Sequence, residues 1–333
     1  MRRVLFFSLC TAFLAVSVTS CNKDDDYFDA EILEGTDEQG AIVGKFSIAP
    51  NRQVQFSRGN LQYQASTDTW KFADHQYDVV GNGNLKRSAT YSGWIDIFIR
   101  GASGNDPLLP PYASESYYDI DSVFHNGMNP NWYFVMCDIS QTRWDWGSNA
   151  IFNGGNTPNK WRTLKSTEWN YLLFKRKDAD KLLGFAIVNN QHGVVILPDN
   201  WETPDELDFI NTDMVVHTRK NERYNKTFYY YGLANENHWV KLNNENFCFN
   251  DNIYSRDEWV KMQQYGAVFL PVAGVGDNCY EGASYWASDF EYYGHNQIDP
   301  ESYMVSIWCA ELGFVGLGSF SSSAYVRLAK DIQ

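Results

Sequence analysis

The chain has 333 residues, 44% apolar and 20% charged, a globular composition long enough to bury a core. Asp and Glu outnumber Lys and Arg by 41 to 27, for a net charge of −14. No run rich in Lys or Arg occurs, which argues against a nucleic-acid partner, since a phosphate-backbone binder needs a positive face.

Arg2 and Arg3 precede an apolar run from Val4 to Val18, which ends in small residues before Cys21. This is the pattern of a secretory signal over residues 1–20, too short for a membrane-spanning helix. Val18-Thr19-Ser20-Cys21 resembles the lipobox of bacterial lipoproteins. That resemblance implies cleavage before Cys21, a lipid on its thiol and attachment to the outer membrane. Asn22-Lys23-Asp24-Asp25-Asp26 follows, and an acidic run in this place resembles the surface-export signal of Bacteroidetes lipoproteins, which implies a protein facing the extracellular side. Residues 21–40 carry eight acids and one Lys and read as a solvated tether. The rest, 41–333, reads as a single domain with an N-terminal β elaboration.

Alternation of polar and apolar residues predicts short antiparallel strands over 44–49, 54–57, 61–64 and 70–72. Val54, Phe56, Leu61, Tyr63, Trp70 and Phe72 are expected to face inward. Residues 81–160 are irregular, and Pro107, Pro110 and Pro111 exclude regular helix there. Trp94, Phe98, Trp132, Phe134, Trp144 and Trp146 are expected to pin these loops to the body, because a large aromatic buries ~150–250 Å². A helix is predicted from Ser166 to Lys175, capped by Ser166 or Thr167, with Trp169, Leu172 and Leu173 on one face. The unbroken apolar runs 185–188 and 194–197 suggest strands covered on both faces. Residues 202–250 are polar and Asn-rich, with Tyr229-Tyr230-Tyr231 inside. A second helix runs from Ser255 to about Gln264 and stops at Gly266, followed by a buried strand over 267–272. Short strands are expected at 284–288, 303–309, 312–318 and 324–329. The order of strands and helices is mixed, so the fold class is α+β, with few helices and long loops.

Six segments carry a family resemblance. Trp161-Arg162-Thr163-Leu164-Lys165-Ser166-Thr167-Glu168-Trp169 is similar to the R-L-P-T-x-x-E-W segment of formylglycine-generating-enzyme-like domains, with Lys165 where that family often has Pro. Val195 to Trp201 and Ala267 to Gly274 resemble strand motifs of large Bacteroidetes paralogous surface families. Tyr285-Trp286-Ala287-Ser288 and Tyr325-Val326-Arg327-Leu328 resemble the strands that close these domains, and Gln55 to Tyr63 resembles the same group. The resemblance implies a C-type-lectin-like domain: few short helices, a twisted antiparallel sheet and long aromatic-rich loops that carry any binding site. It also favours Cys279 and Cys309 as a possible disulfide pair, against the alternative of free thiols.

Catalytic chemistry finds little support in the motifs. The reactive cysteine pair of formylglycine-generating enzymes is missing, because Cys309 has no second Cys near it. Asp299-Pro300-Glu301 lacks the Asn or Asp that follows Pro in calcium-dependent lectins, so no metal and no cofactor are expected. No HExxH, close His pair or Gly-x-Ser-x-Gly occurs, and His75, His125, His192, His217, His238 and His295 read as surface or packing residues. Paired carboxylates remain possible, since acids distant in sequence can meet in space. Asp121-Ser122-Val123 resembles a short Bacteroidetes O-glycosylation motif. Tyr285 and Trp286 read as core, which leaves Phe290, Tyr292, Tyr293, His295 and Asn296 as the candidate ligand-binding residues: rigid rings among small polar groups. The sequence is read as a non-catalytic surface lipoprotein that binds a glycan or protein through its C-terminal loops. Three rivals stand beside it: a variable binding protein of a diversity-generating retroelement, an enzyme of the formylglycine type or a hydrolase, and a pilus-like assembly subunit.

Overall fold

The computed structural model describes residues 34–107, 109–113, 137–211, 214–221, 226–233, 252–273, 282–291, 301–308, 311–318 and 322–332. The N-terminal strands form where the alternation places them. β1 (Phe46–Ala49) and β2 (Arg52–Phe56) make a hairpin whose turn puts Asn51 at a φ of 61°. β3 (Leu61–Gln64) pairs with β4 (Thr69–Phe72) and with β5 (Trp94–Ile95), and β6 (Ile97–Ile99) follows. All six residues expected inward are buried.

Helix α1 spans Ser166–Phe174. Its cap differs from the expectation. Lys165 holds the N-cap position, and its backbone N–H donates to Glu168 Oε2 at 2.9 Å. The Ser166 hydroxyl is engaged elsewhere, on Asp289. Trp169, Leu172 and Leu173 are fully buried, as the apolar stripe requires.

β7 (Leu183–Val188) and β8 (Gln191–Ile196) form a tight hairpin through Asn189 and Asn190, at φ 46° and 65°. Two successive positive φ values suit a two-residue turn between twisted strands, and Asn tolerates them. Helix α2 (Arg256–Gln264) follows the two-residue β11 (Ile253–Tyr254). Ser255 caps it: the Glu258 N–H donates to the Ser255 hydroxyl, and the Ser255 N–H donates back to the Glu258 carboxylate at 2.7 Å. Gly266, at φ 93°, ends the helix before β12 (Val268–Pro271). The sheet β11-β7-β8-β12 is covered on both faces. Phe185, Val194 and Leu270 pack with Trp169 and Leu172 of α1, whereas Val188, Val195 and Phe269 pack with Trp259 and Met262 of α2. This double covering is why both strands read as unbroken apolar runs.

The polar tract 202–250 holds a hairpin that was not expected, β9 (Met214–Asn221) with β10 (Lys226–Leu233). The C-terminal strands are β13 (Gly282–Glu291), β14 (Glu301–Trp308), β15 (Glu311–Gly318), β16 (Ser323–Tyr325) and β17 (Ala329–Asp331). The largest sheet runs β6-β16-β13-β14-β15-β10-β9 and is antiparallel except at β13–β16. Alternate residues of β13 serve two cores. Tyr285 and Ala287 pack with the α1 side, and Trp286 packs with Trp70, Phe98 and Trp146 of the loop-rich side. Phe98 and Trp146 thus pin the irregular region as expected, while Trp132 and Phe134 lie outside the described residues. The chain is mainly β with two helices among the described residues, an α+β arrangement.

The ends of the domain meet in a polar frame. β17 pairs with β2, and Arg162 bridges to Ala329. The Arg162 guanidinium is buried and forks between two acids: Nη1 donates to Glu168 Oε2 and Nε to Asp331 Oδ2, both at 2.7 Å. Burial opposes this charge, but the two carboxylates outweigh it and hold the guanidinium above its ordinary range. In return, Arg162 holds the Asp331 carboxyl below the usual carboxylate range.

Candidate binding site

The candidate site grows out of a distortion in β13. Trp286 pairs with Met304 and Phe290 with Ser302, so Ala287, Ser288 and Asp289 stand opposite Tyr303 alone. Such a bulge re-aims the side chains that follow it. Three segments grip it. The Ser288 N–H donates to the Leu164 carbonyl, and the Ser288 carbonyl accepts from the Ile139 N–H, each at 2.9 Å. The fully buried Arg100 donates to the Ser288 and Cys137 carbonyls. Burial lowers the Arg100 guanidinium to about 10.

Asp289 reaches back to α1. One carboxylate oxygen accepts from the Ser166 N–H at 2.6 Å and the other from the Ser166 hydroxyl at 2.5 Å. Burial raises the Asp289 carboxyl, the Ser166 donors oppose that rise, and the nearby Asp138 charge adds to it. For Asp138, burial also works against ionisation, but Lys165, 2.6 Å away, and the Ser140 N–H hold it below the usual range. Two acids distant in sequence therefore do lie close. Each oxygen of Asp289 accepts a hydrogen bond from Ser166, so it acts as a strut between strand and helix.

Phe290 emerges directly beyond this strut, half-buried, with the Arg100 guanidinium 5.9 Å from its ring centre. Of the expected ligand residues it is the one that the structure describes. Tyr292, Tyr293, His295 and Asn296 lie outside the described residues, as do Cys21, Cys279, Cys309 and the Asp121-Ser122-Val123 motif. Cys137 is a half-buried free thiol, raised by burial. His75 stacks on Tyr77 and His217 on Tyr230, which are packing roles.

Ser166 also opens a shallow groove of about 170 Å³, which sequence reasoning did not find. One wall is the outer flank of α1, where Thr167, Asn170 and Lys175 line it. The other wall is Thr227, Phe228 and Tyr229 of β10, and Tyr303 of β14 contributes as well. Tyr231 fixes this wall: its hydroxyl donates to the Leu173 carbonyl at 2.8 Å, and its ring stacks on Phe174 with centres 4.9 Å apart. Tyr229, two residues earlier on the same strand face, is left 38% exposed with its ring 6.2 Å from Phe174. The run Tyr229-Tyr230-Tyr231 was the available signal, since alternate rings of a strand fall on one face. The groove is too small and open to enclose a cofactor. Its lining offers aromatic faces, short hydroxyl and amide side chains and one amine.

Among the described residues, no cluster of three His, Cys, Asp or Glu could hold a metal ion, and no helix is long and apolar enough to cross a membrane. No protein-family model, curated protein or solved structure matches the chain.

Proposed function

We propose that this protein is a surface lipoprotein, anchored in the outer membrane through a lipid on Cys21, that binds an extracellular ligand without catalysis. Its frame is read as C-type-lectin-like. The two short helices and mainly antiparallel sheets are compatible with that reading, and the order of the resembling segments from 44 to 329 supports it. One observation carries the binding role: the groove that starts at Ser166, where the Asp289 strut ends; Phe290 is not part of its lining. A rigid, hydrogen-bonded base beneath exposed rings is how a scaffold presents a recognition surface.

The test uses intact cells carrying the full chain, applied to an array of glycans and proteins. Cells with Asn170→Trp, which fills the groove, are expected to lose the captured ligand by at least about tenfold. Equal capture by parent and Asn170→Trp cells would remove the groove from the function. No capture by intact cells, with capture by lysed ones, would overturn the surface location.

A further inference from the structure

Resting on the reading above, we propose that the groove takes the acidic end of a glycan, a saccharide terminated by a carboxylate-bearing sugar, and takes it without a metal ion. The argument starts from the lining. Tyr229, exposed on its strand face, offers an aromatic ring, which suits the C–H face of a sugar ring. Thr167, Asn170 and Thr227 are short groups that both donate and accept, as the hydroxyls of a sugar do. Among the described residues, no Asp, Glu, His or Cys lines the groove, in a chain whose acids outnumber its bases by 41 to 27. Binding through Ca²⁺ draws on carboxylate oxygens, and this lining supplies none, so contact with the sugar is direct.

Charge then sets the direction. Among the described residues, Lys175 is the single charged side chain in the lining. It lies nine residues along α1 from Ser166, about 13 Å at the helical rise. The opposite end is held by Asp289, with Asp138 and its ion-pair partner Lys165 beside it, two acids against one base. A ligand carboxylate is repelled from the Asp end and attracted to the Lys end, so the acidic sugar sits at Lys175 and the neutral rings run back over Tyr229.

The experiment measures affinity of the full-length protein for two matched pairs: 3′-sialyllactose against lactose, and trigalacturonate against its methyl ester. The acidic member of at least one pair is expected to bind about tenfold more tightly than its neutral partner. EDTA leaves that difference intact, Lys175→Gln erases it, and Tyr229→Ala weakens both members of the pair. Equal affinities within both pairs, no binding of either pair, loss of binding in EDTA, or a difference that survives Lys175→Gln each overturn the proposal. If these fail while Asn170→Trp still abolishes capture on the array, the groove remains the binding site and its ligand is of another class. If Asn170→Trp also has no effect, both readings fall.

Discussion

The two flanks of helix α1 are built on opposite terms. The inner flank is tightly packed: Glu168 accepts from Arg162, Arg52 and the Lys165 N–H, and Trp169 is packed against Phe56 with ring centres 5.4 Å apart. The outer flank is left open: Thr167 and Lys175 face solvent, and Tyr229 across the groove is 38% exposed. One nine-residue helix thus joins a frame that tolerates little change to a surface that tolerates much. If the groove binds as proposed, stability and recognition are separated by about half a helical turn, so a change in ligand preference need not disturb the fold.

Substitutions can break or sharpen this contrast. The largest effect is expected at Arg162→Met, which leaves Glu168 buried without its main cation and costs about 3–5 kcal/mol by chemical denaturation. A cost under about 1 kcal/mol would mean that the inner flank is no more constrained than the outer one. A second effect follows from Asp96. It is fully buried, accepts from the Val80 N–H at 2.8 Å and the Asn84 amide at 2.7 Å, and burial raises it to about 6. Between its unfolded value and about 6 the folded state holds more protons, so this group's contribution falls as pH rises from about 4 to about 6, by up to ~3 kcal/mol. Asp96→Asn lacks that contribution, so its stability deficit against the parent is expected to shrink across the same window. A constant deficit would show that Asp96 does not titrate there. Asp289→Ala removes the strut to Ser166 and is expected to cost about 1–2 kcal/mol and to weaken ligand capture as the groove end loosens. Unchanged capture would separate the strut from the site. The smallest effect is Tyr229→Ala, within about 0.5 kcal/mol of the parent in stability. A larger loss would make the groove wall part of the frame.

What the sequence made legible followed local chemistry. Helix α2 carries its whole signal in Ser255, Glu258 and Gly266, and the hairpin of β7 and β8 is marked by apolar runs around two asparagines. The cap of α1 was misplaced because the competing acceptor for the Ser166 hydroxyl, Asp289, lies far along the chain and is brought close only by the bulge in β13. The β9–β10 hairpin was hidden for another reason. Most of its side chains are exposed or only half-buried, so no inside-and-outside alternation marks it. Phe290 stands out in the sequence as one ring of a cluster with Tyr292, Tyr293 and His295 among small polar residues. The groove does not, since its two walls belong to elements joined only through tertiary packing.

The closing of the frame by β17 sets an order of events in time. Ala329 and Asp331 pair with Phe56 and Val54, and β16 lies between β6 and β13. The first sheet and the largest sheet are both incomplete until the C-terminal strands arrive, and their partners lie near the opposite end of the domain. A chain with contacts of such separation folds slowly. During synthesis the local hairpins can form early, whereas β6 and the outer edge of β2 wait unpaired until β16 and β17 emerge.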